Sequence, residues 1–354
     1  MNNPLVFKAG KTAQAHIRDK GLSPSDIRAV LGASGAAKWL GIYGLDRAIF
    51  SQWLPRSGQE IHLFGTSIGA WKLAAAAQND PASAFDRLKS AYIRQTYQGK
   101  VTAARVTSES LKILSQLLCG DAARQICHNP RFKFGCAAAR CRGLMAADAP
   151  AAMITGMACA FLCNLVTRRS QSLFFRRTLF QAGGPCPLEM MDFSTRRVDL
   201  SPENLEQALL ASGSIPVVMK GVDRIAGAPE GTYRDGGILD YHPAFSLKPD
   251  EPGLILYPHF YPDVTPGWFD KALSGRRADG TLMDRTLLVA PSPAYIEGLP
   301  YGRIPDRKDF KRFQGRDDLR FDAWTKAAEQ SRDLGAAFID AVDTGNIRDL
   351  MTPF

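Results

Sequence analysis

The chain has 354 residues, 45% of them hydrophobic and 22% charged, a balance that excludes disorder, collagen-like repeats and a small disulfide-stapled scaffold and leaves a globular protein with a large core. Its 44 basic and 35 acidic residues give a net charge of +9, which favours an anionic partner without separating phospholipid from nucleic acid. Met1 to Gly10 holds no apolar run long enough for a signal h-region, so the expected location is the cytoplasm. The seven cysteines read as buried thiols of a reducing compartment.

In chain order, Ala13 to Lys20 reads as a helix stopped by Gly21, and Asp26 to Leu31 as a strand that ends in glycine. The small-residue stretch Gly32 to Lys38 leads into Trp39 to Phe50, with the spacing of a helix packed on a sheet. A second strand, Glu60 to Phe64, meets Gly65 and the alanine-rich helix Ile68 to Gln78. Two strand-turn-helix units in succession argue for a three-layer α/β/α fold with a mostly parallel central sheet. Pro81 to about Ala139 reads as helical, and Asp148 to Thr167 as an apolar stretch interrupted by Pro150, Gly156 and Asn164. Strands follow at Leu188 to Phe193, Arg197 to Leu200, Leu254 to Tyr257 and Thr286 to Val289, with helices at Asn204 to Ala211 and Asp322 to Val342. No repeat or linker divides the chain, so one domain over 1–354 is expected. Its motif-bearing core lies at about 26–250, an inserted helical region at about 90–180, and 251–354 completes it.

Gly65-Thr-Ser-Ile-Gly69 matches G-x-S-x-G, in which a serine on a sharp strand-to-helix turn is raised above the sheet edge and flanking glycines avoid a Cβ clash. Ser67 is the candidate nucleophile, with Gly65 and Gly69 forming the elbow. A serine hydroxyl needs a base, and its acyl intermediate needs donors for an oxyanion. The loop from Gly32 to Ala37 can supply backbone N–H groups beside a helix N-terminus, with Gly32, Ser34, Gly35 and Ala36 as candidates. Asp235-Gly236-Gly237 is a tight turn that can aim a carboxylate at a neighbouring site.

These motifs, with Ala211-Ser-Gly-Ser-Ile-Pro216 between them and Asp235-Gly-Gly-Ile-Leu-Asp-Tyr-His-Pro243 as the last, occur in the order and at the separations that resemble the bacterial patatin-like phospholipases, over about Ile27 to Pro243. The resemblance implies a Ser67–Asp235 dyad without histidine, an oxyanion loop at Gly32 to Ala37, and hydrolysis of lipid acyl esters, as a phospholipase A or lysophospholipase, without metal or organic cofactor. The chain departs from the family pattern in two places: Ala33 and Ser34 interrupt the glycine run, and Tyr241 and His242 precede Pro243 where the family carries Asn. An acyltransferase and a non-catalytic membrane-associated protein are the alternatives.

The order Ser67, Asp235, then His242 or His259 also suits an ordinary hydrolase triad, while His62 lies on the strand before the elbow as a packed histidine. Gly10-Lys11-Thr12 ends like a Walker motif, but Leu5 stands where the motif needs glycine and no strand is expected before it. Cys127, His128, Cys136 and Cys141 lack paired zinc spacing, and Cys159 and Cys163 lie in an apolar run. Arg168, Arg169, Arg176 and Arg177 surround three large apolar residues just after the Ala149 to Thr167 stretch. That pattern suits an anionic membrane surface contacted peripherally, as a monotopic segment or lid, better than a spanning helix. The expected partners are thus a lipid or acyl-ester substrate and that surface, not nucleic acid; oligomeric state is left open.

Overall fold

The computed structural model describes residues 3–97, 99 and 101–354. Met1 and Asn2 of the N-terminal stretch and Gln98 and Lys100 of the expected helical insert lie outside them. The strands are β1 (Leu5–Ala9), β2 (Ile27–Gly32), β3 (Ile61–Gly65), β4 (Phe132–Cys141), β5 (Phe175–Gln181), β6 (Leu188–Glu189), β7 (Thr195–Asp199), β8 (Tyr233–Asp235), β9 (Ser246–Leu247), β10 (Leu254–Pro258), β11 (Thr286–Pro291) and β12 (Met351–Pro353). Ten of them form one sheet in the order β12-β1-β11-β10-β2-β3-β4-β5-β7, with β8 added to β4; β6 and β9 pair separately. Pairing is parallel from β11 through β10, β2 and β3 to β4, and antiparallel at β1–β11, β4–β5 and β4–β8. The central strands are buried along their whole length, as parallel strands covered on both faces must be.

The helices are α1 (Lys11–Lys20), α2 (Tyr43–Ala48), α3 (Ile68–Ala76), α4 (Pro81–Ile93), α5 (Ala103–Leu117), α6 (Ala122–Cys127), α7 (Pro150–Val166), α8 (Leu205–Ser212), α9 (Pro293–Glu297), α10 (Asp309–Arg312), α11 (Asp317–Gln330), α12 (Arg332–Asp343) and α13 (Ile347–Leu350). They cover both sides of the mostly parallel sheet, which makes the fold α/β. One continuous apolar core runs through the sheet layers, and a smaller cluster of Met145, Met153, Ala160, Phe175, Phe193 and Ile238 lies beneath α7.

Several elements differ from the sequence expectation. Phe132–Cys141, within the stretch expected to be helical, is an interior strand of the sheet between β3 and β5. Its alanines pass between β5 on one side and β8 on the other, β8 continuing the edge that pairs β3 from Phe132 to Cys136, and this tertiary pairing overrides their helix propensity. Trp39 to Phe50 is a chain of short 3-10, α and π turns. A Cβ on Gly44 would lie 2.3 Å from the Arg332 amide nitrogen, so backbones meet there. The expected long helix from Asp322 to Val342 breaks at Ser331, whose hydroxyl accepts the Gly44 N–H at 2.7 Å. A strand, β1, does precede Gly10-Lys11-Thr12. Asp284 already occupies the start of α1, accepting the Thr12 N–H at 3.1 Å, and Gly10 packs on Met283 and Asp284 where a phosphate would need space.

Candidate active site

β3 ends at Gly65 and α3 starts at Ile68, so Thr66 and Ser67 must reverse the chain in two residues. Ser67 takes φ 55° and ψ −132°, a conformation that costs a non-glycine residue about 1–3 kcal/mol and persists only when its surroundings enforce it. Close packing enforces it here: a Cβ on Gly69 would lie 2.2 Å from the Gly32 carbonyl oxygen. The hydroxyl of Ser67 donates to Asp235 Oδ2 at 2.9 Å. Asp235 ends β8, and its other oxygen accepts the Gly237 N–H at 2.7 Å. Gly236 must be glycine because a Cβ would sit 2.1 Å from the Ala137 carbonyl oxygen.

The end of α8 and the turn that follows it hold both partners. Ser212 Oγ accepts the Ser67 N–H at 3.0 Å and donates to the Ala137 carbonyl at 2.7 Å, while the Ser214 carbonyl accepts the Asp235 N–H at 2.9 Å. Thr66 joins the other loops, donating to the Asp240 carbonyl at 2.6 Å and accepting from Ser34 Oγ at 2.8 Å. Behind them Arg177 binds both oxygens of Asp240 at 2.8 and 2.6 Å, a pair sealed from solvent. The roles of Ser212, Thr66 and Asp240 were not singled out from sequence; the polar residues inside each small-residue motif were the available signal.

Burial pushes the Asp235 carboxyl up to about 6, against the opposing pull of the Gly237 N–H, the Ser67 hydroxyl and the charges of Lys271 and Arg307. A dry carboxylate of this kind is a stronger base for a hydroxyl than one in water. His242 and His259 lie near each other with ring centroids 4.3 Å apart. His242 accepts the Thr265 N–H, and His259 faces the backbone of Tyr261. Among the described residues neither hydrogen-bonds to Ser67 or Asp235. Burial holds His242 well below its usual range and pushes His259 down to about 3, so both stay neutral. His62 packs on β3 beside Glu60.

The four oxyanion candidates separate. Gly32 ends β2 in register with Gly65, and the Ser34 N–H is committed to the Tyr241 carbonyl at 2.8 Å. Gly35 and Ala36 remain on the cleft wall beside Ser67, with their amides at the start of a 3-10 turn and no acceptor for them among the described residues. Ile68, first in α3, likewise has an unpaired amide there, a donor the sequence reading did not name.

Two cavities meet at Ala36 and Ser67. One, of about 380 Å³, is walled mainly by Trp71, Tyr92, Ile113, Ile215, Met219 and Phe310, with Lys311, Asp317 and the shared Arg307 also in its lining. The other, of about 400 Å³, holds Asp235, Tyr241 and Trp268 together with Lys38, Lys271, Arg307 and Lys308.

Of the four arginines read as one surface patch, two are structural. Arg177 is 1% exposed and bound to Asp240 and Asp192, and Arg168 pairs with Asp192 and Asp270. Arg169 and Arg176 are exposed. Of the seven cysteines expected to be buried, Cys127, Cys136, Cys141 and Cys186 are, whereas Cys119 and Cys159 are exposed and Cys163 is half-buried; among the described residues no three His, Cys, Asp or Glu side chains gather as a metal site.

No protein-family model matches the chain, and no curated protein matches it in sequence. Among solved structures, human GIVD cytosolic phospholipase A2 aligns at a TM-score of 0.40 and 10% identity, over 95% of this chain. The chain covers 63% of the length of that structure.

Proposed function

We propose that the protein is a serine acyl-ester hydrolase acting on lipids, of phospholipase A or lysophospholipase type, with 1–354 serving as one patatin-like unit. The observation that carries this reading is the 2.9 Å hydrogen bond from a strained Ser67 to a desolvated Asp235 at the junction of an apolar and a polar cavity. The four ordered motifs read from the sequence support it. Ser67 Oγ attacks the ester carbonyl as its proton passes to Asp235, and the amides of Gly35 and Ala36 receive the oxyanion. Collapse of the intermediate expels the alcohol, which takes the proton from Asp235. Water then attacks the acyl-serine with Asp235 again as base, releasing the fatty acid and restoring the serine.

Peripheral contact with a membrane belongs to the same proposal, carried by α7 rather than by the four arginines together. No helix among the described residues is long and apolar enough to cross a membrane. The outer face of α7 nevertheless exposes Ile154, Leu162 and Leu165 at helical spacing and no charge, followed by Val166 (84% exposed) and Leu173 (65%). Arg169 and Arg176, both exposed and following α7 in the chain, would be the cations that meet anionic headgroups.

The test is hydrolysis of p-nitrophenyl esters of varied length and of a fluorogenic phospholipid by wild type, Ser67→Ala and Asp235→Ala, each checked for folding. Loss of at least 10³-fold in both folded variants is the expected result. Undiminished activity in either removes the dyad. Acyl products that appear only with an added alcohol or thiol acceptor turn the reading to a transferase, and an inactive wild type to a lipid binder.

A further inference from the structure

The polar limb of the cleft carries more positive charge than its acids can answer. Lys38, Lys271, Arg307 and Lys308 line it, and its carboxylates are Asp235 and Asp306. Asp235 is engaged by Ser67 and Gly237. Asp306 is engaged by Arg312 at 3.5 Å and by the Lys308 amide at 2.6 Å. Among the described residues none of the four cations has a carboxylate within ion-pair distance.

Two of the cations are held by aromatic faces instead. The Lys38 ammonium lies 5.2 Å from the Phe260 ring centroid and 4.9 Å from that of Tyr261. The Lys271 ammonium lies 3.7 Å from Tyr241 and 5.4 Å from Trp268. Such contacts fix where an ammonium points without pairing it to a carboxylate, and Asp306 and Asp235 act on Lys38 and Lys271 only from beyond ion-pair distance. Solvent reaches Lys271 from the cleft mouth, yet the surrounding protein and the charges of Lys38 and Arg307 push it down to about 7. Like charges are crowded around one cavity, an arrangement that favours binding of an anion.

We propose that this limb is an anion-binding subsite that seats the acidic head of the substrate, so that the ester cleaved at Ser67 joins one acyl chain to an alcohol bearing a phosphate or carboxylate. This deepens the hydrolase reading and rests on it for the position of the ester. The chain lies along Trp71, Ile215 and Met219, the carbonyl reaches Ser67 where the limbs meet, and the head lies among Lys38, Lys271 and Arg307. An apolar limb of about 380 Å³, at the small end of ligand cavities, suits one chain rather than two. A neutral glycerol head leaves the cations unanswered, and a phosphocholine head offsets its own phosphate with a quaternary ammonium.

Binding to Ser67→Ala protein tests the subsite without turnover. Calorimetric titrations use dodecyl phosphate, dodecylphosphocholine and dodecyl glucoside below their micelle concentrations, and inorganic phosphate alone. Dodecyl phosphate is expected to bind at least tenfold more tightly than the other two amphiphiles and than inorganic phosphate. Adding Lys38→Met and Lys271→Met is expected to remove that preference while binding of dodecyl glucoside stays the same. Equal binding of the three amphiphiles overturns the proposal, and this comparison stands even if the lysine variants do not fold. Folded lysine variants that keep the preference also overturn it. Inorganic phosphate binding as tightly as dodecyl phosphate assigns the limb to a free anion and overturns the substrate assignment. Absence of ester hydrolysis by wild type removes the Ser67 reading separately and leaves the binding result standing.

Discussion

Replacing Asp235 by asparagine is expected to abolish ester hydrolysis and, in neutral solution, to make the protein more stable. The carboxyl rises from its ordinary 3.8 to about 6 because it is buried. A group whose folded value is raised binds its proton more tightly in the native state. Its stabilising contribution is complete below the unfolded value and is lost as pH rises through the folded value. The shift from 3.8 to about 6 corresponds to about 3 kcal/mol of native-state cost once Asp235 is ionised above pH 6. Asparagine has nearly the same shape and never ionises. Asp235→Asn should therefore match wild type near pH 3.8, where both side chains are neutral, and gain up to about 3 kcal/mol by pH 8, or about 4 °C in Tm for a chain of this length. The activity of wild type should move in the opposite sense, since the base must be ionised. With the carboxyl at about 6, kcat/KM at pH 5 should be about a tenth of its alkaline plateau and at pH 4 about a hundredth. Thermal melts of both proteins from pH 4 to 8, beside a pH–rate profile on a neutral ester, measure all of this. An Asp235→Asn protein less stable than wild type at pH 8, or a rate indifferent to pH between 4 and 7, would refute the reasoning.

Lys72→Met is expected to cost about 3–5 kcal/mol in urea unfolding at pH 8, because it strands Asp46, which the Lys72 ammonium now binds at 2.9 and 3.0 Å in a site closed to solvent. Adding Asp46→Asn should recover part of that loss; no recovery would mean the pair does not act as a unit. His259→Gln and His242→Asn should retain ester hydrolysis within tenfold of wild type when folded, and a 10³-fold loss in either would reinstate a triad. Leu162→Glu with Leu165→Glu should weaken co-sedimentation with vesicles containing anionic lipid at least tenfold, each leucine contributing on the order of 1.5–3 kcal/mol if buried in lipid. Hydrolysis of a short soluble ester should be unchanged, and unaltered sedimentation would remove α7 from the membrane reading.

What the sequence made legible was whatever is local. The strand-turn-helix at Gly65 to Gly69 and the glycine turn after Asp235 each show in five residues or fewer, although the backbones that demand Gly69 and Gly236 belong to remote Gly32 and Ala137, and the structure brings Ser67 and Asp235 within hydrogen-bond distance. β4 was hidden because its Ala137-Ala-Ala139 run favours a helix until neighbouring strands claim it. The arginine segment looked uniform because Asp192, Asp240 and Asp270, which separate buried from exposed members, lie 15 or more residues away in sequence. The cationic limb draws Lys38, Lys271 and Arg307 from three remote stretches, so no local pattern announced it.

The segment from Ser212 to Ser214 grips the backbone of the nucleophile with one residue and that of the base with another. It works as the jaw of a calliper: the gap between Ser67 and Asp235 is gauged by two residues that touch no substrate. Substitutions there should be read by coupling energies with Ser67 and Asp235, not by their own effects, because one displacement misplaces both partners together. A scan confined to the walls of the cleft would pass over the residues that set its working distance.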